Sequence, residues 1–457
     1  MMIRHRERSF RAETMQAADS AIAWREPPHW LPVTLHSLAY KNYFLLLIGQ
    51  VSNSLAQWMD MVARPILIIA LTGSAVQLGL ITLARGLPMM VLGPFAGLLA
   101  DRMDRRLLML AAKSMSMVVH IVFAALIISG RLELWHIYVT AIFKSLLMAF
   151  DQPARQALLP ALVPPHLLIN AVSLNTGTMQ LSRIISASLA GGLIALWAKT
   201  FGFLDTDVRA FGGVYLVVVA IFVVAIVATY LLKVPPGGRA ERTDDSWSMS
   251  FVKGIRFAWR NPIIISVLVL LGVQSTFGAP YMSVFIPWLA MKVMGIGTAG
   301  AALLLAVSGV GSLAGAMAVA TVGHVLRQRG RIIIIGLVLY GAALAALGLT
   351  SALPLVTVLG LTMPLLPMLM VVFVGIGQTV IVSIKNGLLL ECTPNELRGR
   401  VMSFQSLDRG LTSLGGSMGG FAIALLGGPY GLALFGVLCA LGSVIVGAFY
   451  PSLRKQN

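Results

Sequence analysis

The first long apolar stretch of the chain carries four polar residues that could do chemistry inside a membrane. Asn53, Gln57, Asp60 and Arg64 follow one another at intervals of four, three and four residues. On an α-helix this spacing places them within about 60° of one another. An ionisable group in the middle of a bilayer costs at least ~2.5 kcal/mol, so we expect the stripe to face a cavity or another helix.

A later apolar stretch contains Lys144, Asp151 and Arg155 at similar spacing. A carboxylate among cations in a low-dielectric site can be arranged to take up and release a proton. We therefore predict that Asp60 is a proton-coupling residue and that Lys144 or Arg64 competes with the proton for it. The alternative is an internal ion pair between Asp60 and Arg64, one turn apart, that only holds the helices together.

A third polar group lies in the second half of the chain. Gln274, Tyr281, Phe285 and Trp288 are predicted to share one helix face, and an aromatic stripe that ends in an amide suits a large, partly apolar ligand. We predict that these residues, together with the two amides of the first stripe, bind a small-molecule substrate. Ordinary helix packing explains the aromatic stripe equally well.

The composition requires a membrane environment for these helices. Of the 457 residues 58% are hydrophobic and 11% charged, and the mean hydropathy is +0.87, whereas about a quarter of the residues of a soluble domain are charged. The N-terminal segment is basic and has no apolar core, so no cleavable signal is predicted. The lipid bilayer is therefore an expected partner.

Apolar runs of about 20 residues predict the architecture. We predict an all-α membrane protein with 12 transmembrane helices in two six-helix bundles. A cytosolic leader, 1–42, precedes the first bundle, 43–232, and a cytosolic linker, 233–261, leads to the second bundle with a short cytosolic tail, 262–457. The tenth apolar run, 354–390, is overlong and contains two prolines.

The basic residues indicate the orientation. Most of the 34 Lys and Arg lie in segments predicted to face the cytosol, and the predicted outer loops hold only Arg131, Lys199, Arg209 and Lys292. This bias places both termini in the cytosol. It also accounts for the net charge of +17 without nucleic acid as a partner.

Enzyme and cofactor motifs are missing from the sequence. There is no phosphate-binding Gly-x-x-x-x-Gly-Lys-Ser/Thr and no His-Glu-x-x-His, and the seven histidines are scattered. Cys392 and Cys439 have no metal-ligand neighbours in the sequence. We predict no enzyme activity, no cofactor and no metal, so energy for any transport would come from an ion gradient.

A cluster of charges separates the second and third apolar runs. Gly97, Asp101, Arg102, Arg105 and Arg106 lie in a ten-residue stretch that we predict to be a tight loop on the cytosolic face. A charged turn there could hold helix ends together and act as a gate. Further gating residues are predicted at the ends of later runs, or within them, namely Asp151, Arg155, Arg183, Glu396, Arg398 and Arg400.

Four passages resemble one family, the major facilitator superfamily, and within it the bacterial branch of the enterobactin exporter and macrolide-efflux-like proteins. They are the charged loop 97–106 and the segments 49–60, 151–160 and 394–401. The resemblance implies proton-coupled export of a small amphipathic molecule, drug-like or siderophore-like, by alternating access of the two bundles. It also implies a monomer in the bacterial plasma (inner) membrane.

One departure from the family pattern leaves the direction of transport open. Antiporters of the superfamily usually have Gly-Pro in the fifth span, where this chain has the segment 184–188 after Arg183. A gradient-driven importer of a small metabolite therefore remains an alternative. A non-transporting scaffold or receptor on the same fold is a second one.

Overall fold

The structure is a computed structural model. It describes residues 28, 32–204, 206–233, 261–322, 328–354, 356–358, 361–393 and 405–454.

Twelve long helical segments follow one another in the described part of the chain, after a 3-10 turn at Val33–Ala39. They are α1 Lys41–Thr72, α2 Ala75–Arg102, α3 Arg105–Ile128, α4 Leu134–Leu158, α5 Leu168–Phe201, α6 Gly212–Leu231, α7 Pro262–Val293, α8 Gly297–Val322, α9 Arg329–Thr350, α10 Leu365–Glu391, α11 Gln405–Leu426 and α12 Gly428–Phe449.

Nine of these helices, among the described residues, are long and apolar enough to cross a membrane. The three that do not qualify are α2, α4 and α11. Helix α4 carries charged side chains such as Lys144 and Asp151, and α11 carries Asp408 and Arg409 near its start. The number of 12 membrane-crossing helices therefore remains a prediction. Large apolar side chains on the outside of the bundle are strongly exposed, for example Leu425 at 83% and Phe449 at 78%.

Two predicted boundaries are corrected. The stretch predicted as a tight loop over 97–106 is helical at both ends: α2 continues to Arg102 and α3 begins at Arg105, so only two residues connect them. Asp104 caps α3 by accepting from the amide of Leu107 at 3.0 Å.

The tenth run does not begin at 354. Strands β1 Val356–Val358 and β2 Leu361–Met363 pair antiparallel, and Pro364 is the N-cap of α10. Proline fits a helix start because the first amides of a helix have no partner within it.

Helix α7 is not a regular α-helix. Its α-helical start, Pro262–Val273, passes into π-helical segments at Gln274–Gly278, Tyr281–Phe285 and Leu289–Val293. Pro280 and Pro287 have no amide hydrogen to donate to the residue four positions earlier. The amide of Ala279, just before Pro280, bonds to the carbonyl of Gln274 five residues earlier at 2.9 Å. Such π segments are rare and often occur at functional sites.

Two helix pairs form the largest contacts between the first six helices and the last six. Helix α2 packs on α11, and α5 packs on α8. Glycines allow the first contact, since a Cβ on Gly79 would lie 3.0 Å from the carbonyl oxygen of Gly416, and one on Gly420 would lie 2.8 Å from the Cα of Gly79. In the second contact a Cβ on Gly309 would lie 2.7 Å from a side-chain carbon of Ile184. The two halves therefore touch through backbone at α2 and α11.

Candidate functional site

Asp60 lies at the centre of a buried charge cluster between α1, α4 and α6. Its side chain accepts three hydrogen bonds, from Arg64 Nε at 2.9 Å, from Lys144 Nζ at 3.0 Å and from Tyr215 Oη at 3.1 Å. Arg64 Nη2 forms a further ion-pair contact with it at 2.8 Å. Asp60 is 0% exposed, Arg64 2% and Lys144 4%. The two cations predicted to compete for Asp60 therefore both contact it.

Further groups fix the two cations. Arg64 donates from Nη1 to Thr140 Oγ1 at 2.9 Å, and its guanidinium lies 4.6 Å from the ring centre of Phe123. Lys144 Nζ lies 3.4 Å from His120 Nε2, while His120 Nδ1 contacts the carbonyl of Ser116 at 2.6 Å. If His120 is neutral, the three charged side chains in direct contact sum to one positive charge.

This arrangement can do two things. It can act as a structural ion pair, the alternative left open by the sequence, because Asp60 and Arg64 bond directly. It can also bind and release a proton if Lys144 moves away from the carboxylate as helices shift, because a carboxylate holds a proton better with fewer cations nearby. Asn53 and Gln57, earlier on the same stripe, are partly exposed, whereas Asp60 does not line an open surface in this structure.

Arg183 is the centre of a second buried network, which joins the two halves. From α5 it donates to Ser308 Oγ at 2.9 Å and Ser312 Oγ at 3.0 Å of α8, and to Tyr281 Oη of α7 at 3.3 Å. Tyr281 in turn donates to Gln378 Oε1 of α10 at 2.9 Å. The structure places Arg183 at a contact between the halves, and its gating role stays a prediction.

The predicted aromatic stripe of α7 is corrected. Tyr281 contacts the Arg183 network, but the ring of Phe285 packs on Phe435 with centres 5.1 Å apart, and Trp288 packs against Gly428. The prediction assumed a regular α-helix. The π segments insert extra residues into the turns, and each one turns the side chains that follow by about 100°. In this structure the residues therefore do not share one face of α7, and their role in substrate binding stays a prediction.

Gln274 contacts a buried cation rather than lining a surface. Its Oε1 accepts from Lys385 Nζ of α10, and the next residue, Ser275, donates to Asp408 of α11. Gln274 and Lys385 are 4% and 2% exposed. The second half thus has its own polar cluster, with a lysine and an aspartate on neighbouring helices.

The end of α4 forms a third polar region. Asp151 Oδ1 and Arg155 Nη1 are buried without a hydrogen-bond partner, and a pocket of about 50 Å³ is lined by Arg155, Gln152 and Gln50 among others. Arg409 of α11 donates to Gln152 of α4. Asp151 and Arg155 therefore lie where the first half meets α11, although no salt bridge between them is present in the described structure.

The predicted gate around the loop between α2 and α3 is described only in part. Arg106 donates to the carbonyls of Tyr230 and, at 3.4 Å, Thr229, which are the last turn of α6. A cation at a helix C-terminus is favourable.

The rest of the predicted gate is described less fully. Gly97, Asp101 and Arg102 belong to the last turns of α2, and the structure does not describe the surroundings of Gly97 or the side chains of the other two. Glu396, Arg398 and Arg400 lie outside the described residues, and the gating role of all these residues stays a prediction. Arg105 is described and has a partner.

Sequence reasoning missed several partners. His120 and Tyr215 are buried contacts of the Asp60 cluster, and Ser308, Ser312 and Gln378 surround Arg183. A histidine in the middle of an apolar run was a signal for the first. The serines and the glutamine gave none, because uncharged polar residues are common in membrane helices.

Long apolar helices around buried charges define the chain as a multi-span membrane protein with polar groups at the centre of its bundle. Its residues 46–411 match the model of the Major Facilitator Superfamily. The chain belongs to that family. It is an integral membrane protein and a transporter rather than an enzyme.

Relatives and solved structures agree with this assignment. The chain is 25% identical to macrolide efflux protein A of Streptococcus pyogenes over 47% of its own length and 49% of that protein, so it spans about half the length of this relative. It is 25% identical to the multidrug efflux pump Tap of Mycolicibacterium fortuitum over 90% of its own length and 96% of that protein. A bacterial homologue of the human lysosomal transporter Spinster, in an inward-facing and unoccupied conformation, superposes with a TM-score of 0.70 at 16% identity, covering 91% of this chain and 97% of that one. That likeness shows the fold.

Proposed function

We propose that this protein exports small amphipathic molecules, drug-like or siderophore-like, in exchange for protons. The observation that carries the proposal is the Asp60 cluster, a fully buried carboxylate held by Arg64 and Lys144 from two helices. The efflux functions in the names of two relatives support the direction. In this proposal α1–α6 and α7–α12 are the two bundles that rock, and both termini face the cytosol of a bacterial plasma membrane.

The proposed cycle links protonation to the contacts of Asp60. While Lys144 and Arg64 bond to the Asp60 carboxylate, they stabilise its charged form and disfavour its protonation. Movement of α4 relative to α1 would withdraw Lys144 and leave Asp60 with Arg64 and Tyr215, which favours proton uptake. Arg85 of α2 and His120 of α3 are the other titratable or charged groups facing this site. A proton taken up from outside and released inside would drive the export step.

A gradient-driven importer uses the same groups with the opposite vectorial direction, and only transport data separate the two. Everted membrane vesicles, in which the cytosolic face is outward, are incubated with a panel of fluorescent amphipathic dyes in the medium. An exporter accumulates dye when the vesicle interior is made acidic, and an uncoupler abolishes the accumulation. The importer would accumulate dye only in right-side-out vesicles.

The matched control for Asp60 is a partly exposed aspartate that also carries a local structural role. Asp207 caps a short turn by accepting from the amide of Arg209 at 2.8 Å, and asparagine caps as well as aspartate does. We expect Asp207→Asn to keep dye accumulation and Asp60→Asn to lose it. Accumulation by Asp60→Asn at the wild-type rate would contradict the proposed coupling site.

A further inference from the structure

Arg183 is a buried cation whose contacts leave its charge unbalanced. It is 6% exposed, and its hydrogen bonds go to three hydroxyls, those of Ser308, Ser312 and Tyr281. Its Nε has no hydrogen-bond partner. Within the described ranges no carboxylate forms a salt bridge with it. The guanidinium therefore has a free donor and no counter-charge.

Such a site costs free energy unless something else balances it. Removing a charge from water has a large desolvation cost, and hydroxyl dipoles offset only part of it. The Trp58 ring, 5.4 Å from the guanidinium carbon, adds a weaker cation–π attraction. Asp60 is already shared by two cations, so it is not available to Arg183. A ligand that brings a negative charge would complete the site.

The free edge of the guanidinium has the geometry for one kind of ligand. Nε has no hydrogen-bond partner. Nη2 lies on the same edge and donates to Tyr281 Oη at 3.3 Å, which is the longest of the three hydrogen bonds of Arg183. A carboxylate binds this edge with two parallel bonds. Tyr281 can yield its contact, because its hydroxyl also bonds to Ser308 and Gln378. Trp58 and Gln378, on two sides of the network, are partly exposed.

Other helices at the junction also carry cations. Arg85 of α2, Lys385 of α10 and Arg409 of α11 are basic residues at or near the surfaces where the halves meet. Asp60 is the acid that acts on Arg85, and Asp408 is the acid that acts on Lys385 and Arg409. Together with Arg183, these residues are four basic side chains against the two acids Asp60 and Asp408.

We infer that the transported molecule carries a carboxylate or similar anionic oxygen group, which binds the free edge of Arg183 while its apolar part lies along Trp58. This inference rests on the proposed transport function and names the class of its substrate. An inorganic anion such as chloride has the same attraction for a guanidinium, so the experiment has to separate the two sources.

The test uses two probes that differ only in charge, 1-pyrenebutyrate and 1-pyrenebutanamide. Binding to the purified full-length protein is followed by energy transfer from tryptophan to pyrene, with Trp58→Phe to identify the local part of the signal. The carboxylate should bind at least about tenfold more tightly than the amide, as expected for a desolvated charge-assisted contact.

Variants assign the preference to Arg183. Arg183→Gln should abolish the difference between the probes, and Arg183→Lys should keep a weaker preference, because lysine retains the charge without the planar edge. Arg331→Gln removes the same charge from an exposed position and should leave the preference unchanged. If Arg183→Gln does not fold, wild type is compared with Arg183→Lys. The inference then requires that Arg183→Lys binds the carboxylate probe more weakly than wild type does and binds the amide probe equally well.

Several results would overturn the inference: equal affinities for the two probes, a preference that survives Arg183→Gln, or no saturable binding of the carboxylate. A Trp58-dependent response to sodium chloride without a carboxylate preference would assign the site to an inorganic anion and also overturn it. Failure of the proposed function looks different. In that case the carboxylate binds preferentially, but neither probe is accumulated in energised vesicles.

Discussion

Replacing Asp60 by asparagine should destabilise the protein strongly, and a second substitution should restore much of the loss. In the structure Asp60 accepts bonds from Arg64 and Lys144 on its two oxygens. The Asp60→Asn substitution would remove the negative charge and leave two buried cations beside a neutral amide. Removing one partner from a buried ion pair costs about 3–5 kcal/mol.

The repulsion between the two remaining cations gives the size of the rescue. Because both bond to one carboxylate, they lie on the order of 6 Å apart, and at an effective dielectric constant of about 20 their repulsion is about 3 kcal/mol. Adding Lys144→Met removes this term. The double variant Asp60→Asn/Lys144→Met should therefore be more stable than Asp60→Asn alone, although it lacks one more polar contact.

Thermal unfolding of the purified proteins in one detergent measures this order. We expect the unfolding midpoint to fall most for Asp60→Asn, to recover in the double variant and to stay unchanged in Asp207→Asn. The reasoning about charge balance is refuted if the double variant is no more stable than Asp60→Asn. A wild-type midpoint for Asp60→Asn would refute it as well.

Two further predictions concern the contacts between the halves. Gly420→Leu should lower transport, measured as dye accumulation, by at least about tenfold, because its side chain would enter the backbone of α2 at Gly79 and force the halves apart. Gly192→Ala is the control, because a Cβ at that position meets nothing within 4 Å. Tyr281→Phe should cost about 1–2 kcal/mol of stability, because the hydroxyl that Arg183 and Gln378 share is lost. An unchanged unfolding midpoint would contradict this second prediction.

The sequence predicted the Asp60 contacts well, for a physical reason. Charged groups in a membrane must face protein, and Asp60 and Lys144 lie at similar depth in two apolar runs. The resemblance to the major facilitator superfamily implies that both runs border one cavity, so the two side chains could meet. The sequence did not predict that Tyr215 and His120 would complete the cluster. Their positions depend on how α3 and α6 pack against α1, which helical periodicity does not determine.

The failure at α7 has a local cause. Period 3.6 placed Gln274, Tyr281, Phe285 and Trp288 on one face, but the helix has π segments near Pro280. A proline indicates that a backbone hydrogen bond of the helix is missing, but the sequence does not show which hydrogen bonds form in its place. The side chains consequently contact different neighbours, and their predicted role in substrate binding stays a prediction.

The contacts of Arg183 show a second limit. A lone arginine in an apolar run indicates a polar neighbour but not which helix supplies it. Its partners come from α7 and α8, more than 90 residues later in the chain. Only the arrangement of the two halves brings them together.

Whether Asp60 carries the proton is tested most directly by proton movement in liposomes. Purified protein is reconstituted with a pH-sensitive dye inside, a transported dye substrate is added as a concentration step, and the internal pH is recorded. Wild type should move protons opposite to the substrate, and Asp60→Glu should do so at a reduced rate. The double variant Asp60→Asn/Lys144→Met should show no substrate-driven pH change while still exchanging labelled for unlabelled substrate. Proton movement by the double variant at the wild-type rate would contradict the account and leave Asp60 with a structural role.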